Sequence, residues 1–173
     1  MSQICPVCME EAVSYTGDSL CDYLIIEEFP ELNVKVSGSS WKKDEWTHKK
    51  IMNNELNKVD MTINQFRIVS AYPHLPPASG IPNEKCYDFG LSLLPDEMIS
   101  KLGVIVLGSN LCKEFTGYDL KQVQGLSNVD FLLGYDVGDM PRVVLPSIRS
   151  LYSTGNGEFS LGLSRFAKQL QGE

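Results

Sequence analysis

Residues 103–123, GVIVLGSNLCKEFTGYDLKQV, decide how the chain is read. Val104, Ile105, Val106 and Leu107 form a short apolar run of the kind a buried strand requires, and Gly108 interrupts it. Ser109 has the chemistry of a helix N-cap. Leu111, Cys112 and Phe115 follow at helical spacing on one face, and Thr116-Gly117 supplies the stop. Tyr118, Leu120 and Val123 then suggest a second strand, with Asp119, Lys121 and Gln122 toward water. The expected unit is strand, short helix, strand, and it contains no catalytic group.

Working outward, residues 22–29 (DYLIIEEF) and 65–71 (QFRIVSA) read as further strands, and residues 32–36 (LNVKV) as a half-buried one. Residues 87–94 (YDFGLSLL) also read as a strand, with Gly90 as a bulge, before a helix opened by Pro95. In that helix Lys101 serves the negative end of the dipole. Residues 44–60 predict a loop followed by a weak helix, with His48 exposed. Apolar runs at 129–135 and 141–145 follow the central unit, a turn is expected at 154–157, and residues 160–170 predict a terminal helix. Residues 72–82 (YPHLPPASGIP) are too proline-rich for helix or central strand and form an extended loop. The expected fold class is α+β, a mostly antiparallel sheet with a few short helices. It comprises an N-terminal Cys-containing segment over 1–21 and a single domain over 22–173.

Composition bounds the function. The chain of 173 residues carries a formal charge of −7, and its one basic cluster, Lys42, Lys43, His48, Lys49 and Lys50, is diluted by Asp44 and Glu45. Nucleic-acid binding needs a concentrated basic surface, so none is expected. No apolar run reaches the length of about 20 residues that spans a bilayer, and the N-terminus has no signal-peptide pattern, so no membrane association and a cytoplasmic location are expected. The sequence carries no P-loop, GxSxG, HExxH or dinucleotide fingerprint.

Five cysteines, an odd number, point to reduced thiols or a metal rather than a disulfide framework. Cys5-Pro6-Val7-Cys8 can grip one zinc ion from a tight turn. Cys21 is the next thiol and the candidate third ligand, with His48, His74, Cys86 or Cys112 available through the fold as a fourth. Met9 stands where such knuckles often carry glycine. Trp41, Trp46 and Tyr72 are the candidate aromatic anchors for a partner.

The serine-capped helix followed by TGYDLKQV (116–123) resembles the closing helix and strand of immunity proteins of bacterial polymorphic toxin systems. The likeness is to the immunity-protein-11-like and double-CXXCG-type families, and CPVC resembles the first cysteine pair of the latter. The chain departs from that pattern at Met9 and in having no second CxxC. The resemblance implies a non-enzymatic cytoplasmic protein that binds and neutralises a cognate toxin, with the acidic surface steering a basic partner. Two alternatives stand beside it. One is a zinc-binding regulatory or adaptor protein using Cys5, Cys8 and Cys21. The other is a small enzyme pairing Cys86 or Cys112 with His74.

Overall fold

The computed structural model describes residues 3–13, 15–30, 48–75, 79, 81–152 and 157–172. Its strands are β1 (Gln3–Ile4), β2 (Glu11–Ala12), β3 (Tyr23–Glu27), β4 (Phe66–Ser70), β5 (Gly103–Leu107) and β6 (Arg142–Leu145). Its α-helices are α1 (Lys49–Asn57), α2 (Glu84–Met98), α3 (Ser109–Thr116), α4 (Leu120–Val123) and α5 (Gly157–Leu170). The expected strands at 32–36, the turn residues 154–156, Trp41 and Trp46 lie outside the described residues.

Strands and helices are both present as expected, but the main sheet is not antiparallel. Its order is β4-β3-β5-β6 and every pairing is parallel. The physical reason is visible in the strands themselves. LIIE, GVIVL and RVVL are buried along their whole length, and unbroken apolar runs belong to a sheet covered on both faces. Successive side chains alternate between those faces. Ile25, Ile68, Ile105, Val143 and Leu145 pack with Met52 and Leu56 of α1 and Phe159, Leu163 and Phe166 of α5. Leu24, Ile26, Val69, Val104, Val106 and Val144 pack with Leu91, Leu94 and Met98 of α2 and Leu111, Cys112 and Phe115 of α3.

Two segments expected as strands are helices. Residues 87–94 lie inside α2, whose cap is Asn83, its side chain accepting from Lys85 N at 2.9 Å. The buried positions of α2 are Cys86, Gly90, Leu91, Leu94 and Met98, a helical stripe. Gly90 is therefore no bulge: it lets the helix press against the chain beyond β4. Pro95 does not open a helix but falls inside α2, in its last turn, and the helix ends three residues later at Met98. Residues 120–123 form α4 because Asp119 and Gln122 make a capping box, Gln122 Oε1 accepting from Asp119 N at 2.9 Å. At α3 the N-cap is Gly108, not Ser109. The helix ends at Gly117 as read, with that glycine in the left-handed conformation; of the two later apolar runs, 141–145 contains β6, whereas 129–135 is irregular.

The N-terminal segment is laid against the sheet. β1 and β2 pair antiparallel, Gln3 opposite Ala12 and Ile4 opposite Glu11. Beyond them the chain runs along the outer edge of β4, with Val13 N donating to Pro73 O at 2.8 Å. Thr16 and Ile68 exchange backbone hydrogen bonds of 2.9 and 2.7 Å. Lys101, expected to serve the end of a helix dipole, is 8% exposed and donates from Nζ to Ser19 O and Cys21 O at 2.8 and 2.6 Å. No helix among the described residues is long and apolar enough to cross a membrane.

Candidate metal centre

Four potential ligands meet where the N-terminal hairpin touches the main body. Cys5 and Cys8 come from the turn between β1 and β2, His74 from the chain just beyond β4, and Cys86 from the first turn of α2. Their ligating atoms all lie within 4.8 Å of one another, and Cys5, His74 and Cys86 are buried.

Each piece is positioned by local chemistry. Cys5 N donates to Glu10 O and Met9 N to Cys5 O, both at 2.8 Å, which closes the turn that points the two thiols inward. Met9 pays for that turn with φ +65°, in the left-handed region where glycine is at ease. His74 stacks edge-on against Tyr72 with ring centroids 4.6 Å apart, and the Tyr72 hydroxyl accepts from Asn83 N at 3.1 Å, tying β4's exit to the start of α2.

The distances suit one ion. Thiolates held at about 2.3 Å from a tetrahedral zinc lie about 3.8 Å apart. Cys5 Sγ and Cys86 Sγ are 3.8 Å apart, and Cys8 Sγ and His74 Nε2 are 3.2 Å apart. An iron–sulfur cluster, with several metal atoms between its cysteines, would hold the sulfurs farther from one another than this. The far side of the imidazole is also set for coordination. His74 Nδ1 lies 3.1 Å from Leu75 O and 3.4 Å from the Glu10 carboxylate. A proton on Nδ1 shared with those oxygens leaves the Nε2 lone pair facing the thiols, the arrangement by which outer-shell carboxylates orient metal-bound histidines.

The electrostatics call for a cation. Burial pushes the Cys5 thiol up, but the backbone N–H groups of Cys8 and Val7, with the thiols of Cys8 and Cys86, outweigh it and hold Cys5 below its ordinary value. Burial, then contact with Cys8 and Cys5, pushes Cys86 up to about 12. Cys5 and Cys86 thus oppose one another's ionisation, and a divalent ion between them removes that conflict.

Of the expected ligands, the fold joins Cys5 and Cys8 but leaves Cys21 out. Cys21 Sγ donates to Asn64 O at 3.6 Å, and His74 and Cys86 complete the set in its place. His48 is 4% exposed rather than solvent-facing, at the N-cap of α1. Cys112 is buried in α3, its Sγ 3.4 Å from Tyr118 O, and makes no pair with His74. Tyr72 is 1% exposed and packed among Phe29, His74 and Tyr87, so it supports the site from within instead of anchoring a partner.

A second feature follows from topology. β3 and β5 are neighbours whose outgoing helices, α1 and α3, cover opposite faces, and ligands of open parallel sheets bind at the carboxyl ends of such strands. There Asn110 Nδ2 donates to Glu28 Oε1 at 2.7 Å. Beside them Gly108, at φ +99°, has no heavy atom within 4 Å of where a Cβ would stand.

No protein-family model matches the sequence. Comparison with curated proteins also finds no match.

Replacing Met9 by glycine relieves a left-handed residue at a cost of about 1–2 kcal/mol and adds about 0.5–1 kcal/mol of unfolded-chain entropy. The expected net result is a gain of about 0.5–1 kcal/mol and a zinc affinity about two- to fivefold higher. Competition with a chelator of known affinity checks it; an unchanged or weaker affinity refutes the strain argument.

Proposed function

We propose that this chain is a zinc protein whose ion is structural and which acts by binding another protein. The observation that carries the reading is the convergence of Cys5, Cys8, His74 and Cys86 within 4.8 Å, from three separated parts of the chain. A Cys3His set fills all four positions of a tetrahedral ion, and structural sites are closed in this way, whereas catalytic ones keep a position open. The ion would staple the β1–β2 hairpin to the ends of β4 and α2.

A thiol enzyme is the competing reading, because Cys8, His74 and Glu10 stand in the order of nucleophile, base and orienting acid. Two more sulfurs beside the same imidazole favour coordination over catalysis. Neutralisation of a basic toxin remains the proposed role on the strength of the CPVC resemblance and the −7 charge.

Elemental analysis of protein purified with zinc supplied should find one zinc per chain, and cobalt substitution should give thiolate-to-metal charge-transfer absorption. Zinc well below one per chain overturns the metal reading. A neighbouring toxin left fully active at equimolar protein overturns the neutralising role.

A further inference from the structure

Resting on the zinc reading, and concerning the regulation of that same site, a difference in exposure among the ligands carries one step more. Cys5 and Cys86 are 0% exposed, whereas Cys8, on the hairpin turn, is only partly buried. Of the three sulfurs that would share one ion, Cys8 is therefore the least buried, with another sulfur of the group close enough to trap it. Cys5 sits three residues away on the same turn, and the Cys86 sulfur lies within 4.8 Å.

We propose that the centre is a peroxide-responsive zinc site, with Cys8 the sulfur first oxidised and Cys5 or Cys86 the sulfur that resolves it. The Cys8 thiolate attacks one oxygen of hydrogen peroxide. The O–O bond breaks, an S–O bond forms to give the Cys8 sulfenic acid, and the other oxygen leaves as hydroxide. The thiolate of Cys5 or Cys86 then attacks the Cys8 sulfur, an S–S bond forms, and the sulfenic oxygen leaves as a second hydroxide. Peroxide is reduced by two electrons, the two sulfurs are oxidised by two, and both hydroxides take up protons to become water. A disulfide has no thiolate charge to offer, so the set loses two of its four ligands and the ion is released. The hairpin then loses its tie through the ion to His74 and to Cys86 of α2, so the response couples oxidant to loosening of the N-terminal segment.

Cys21 provides an internal comparison, being another partly buried thiol outside the cluster. The experiment titrates hydrogen peroxide into the full-length zinc-loaded chain, in the natural sequence and in Cys21→Ser. Zinc release is read with a chromogenic chelator and the thiols by peptide mass spectrometry. The expected result is one zinc released per peroxide consumed, with a disulfide from Cys8 to Cys5 or Cys86. Dithiothreitol and added zinc should reverse it, and Cys21→Ser should behave identically. Zinc retained while Cys21 is oxidised overturns the inference and leaves the zinc reading standing. Cys8 driven to sulfinic acid with no disulfide also overturns it. A chain that never loads zinc ends the zinc reading first, so the two failures are told apart before peroxide is added.

Discussion

Cys86→Ala is expected to lower bound zinc from one per chain to near zero. The buried histidine and two thiols would remain without the fourth donor and without the link from the hairpin to α2. In isolated zinc fingers the ion supplies about 10–16 kcal/mol of apparent folding free energy. Here the parallel sheet has its own core, so only the coupling of hairpin to body is lost, an expected cost of about 4 kcal/mol. For a chain of this size that corresponds to a melting point lower by about 8–16 °C. The decisive control is a chelator: it should lower the melting point of the natural sequence toward that of the variant and leave the variant unmoved. Cys21→Ala should keep its zinc, since that thiol bonds Asn64 O instead. Acid should act in the same direction as the chelator, because the ligands bind the ion only when deprotonated and protons compete as pH falls. If Cys86→Ala retains zinc, or Cys21→Ala loses it, the ligand assignment is wrong.

The second large effect is steric. At Gly90 an added Cβ would stand 1.6 Å from Ala71 O and 2.8 Å from its carbonyl carbon, both backbone atoms that no rotamer change can move aside. Gly90→Ala must push α2 away from the chain just beyond β4, opening the contact of Leu91 and Leu94 with Val69 and Val104. The expected loss is about 3 kcal/mol or more. Since α2 also carries Cys86 one turn earlier, the displacement should weaken zinc binding as well, although residue 90 is not a ligand. Gly157→Ala is the matched control: nothing lies within 4 Å of its Cβ position, and alanine favours the helix it begins. Denaturant titration of both variants checks the pair, and a Gly90→Ala protein as stable as the natural one would contradict the close helix approach.

What could be read without coordinates follows from how local each signal is. β3, β4, β5, α3 and α5 were legible because an apolar run or a helical stripe is written within a few residues. α2 was not. Tyr87, Phe89 and the glycine at 90 favour a strand locally, and only the contact with Ala71 explains why a helix needs glycine there. Once α2 is taken for a strand, the alternation of strand and helix disappears and with it the parallel sheet. The unbroken burial of β5 was the cue that should have outweighed this. At the metal centre the CxxC pair was legible as half a site, while its other half was reachable only as a short list of remaining histidines and cysteines. Nearness in sequence favoured Cys21, yet Lys101 and Asn64 hold that segment elsewhere. His74 and Cys86 reach the hairpin because one follows the end of β4 and the other sits in the first turn of α2, which begins at that same end of the sheet.

Thr16 occupies the outer edge of β4 and Val13 bonds Pro73 just beyond it, contacts held in place by the hairpin that the ion would pin. Uncovered strand edges recruit strands from other molecules. On the zinc reading proposed above, zinc supply during synthesis would bear on solubility as much as on fold: newly made chains starved of the ion would be the ones that associate edge to edge. A purification relying on strong chelators would select for loss of material.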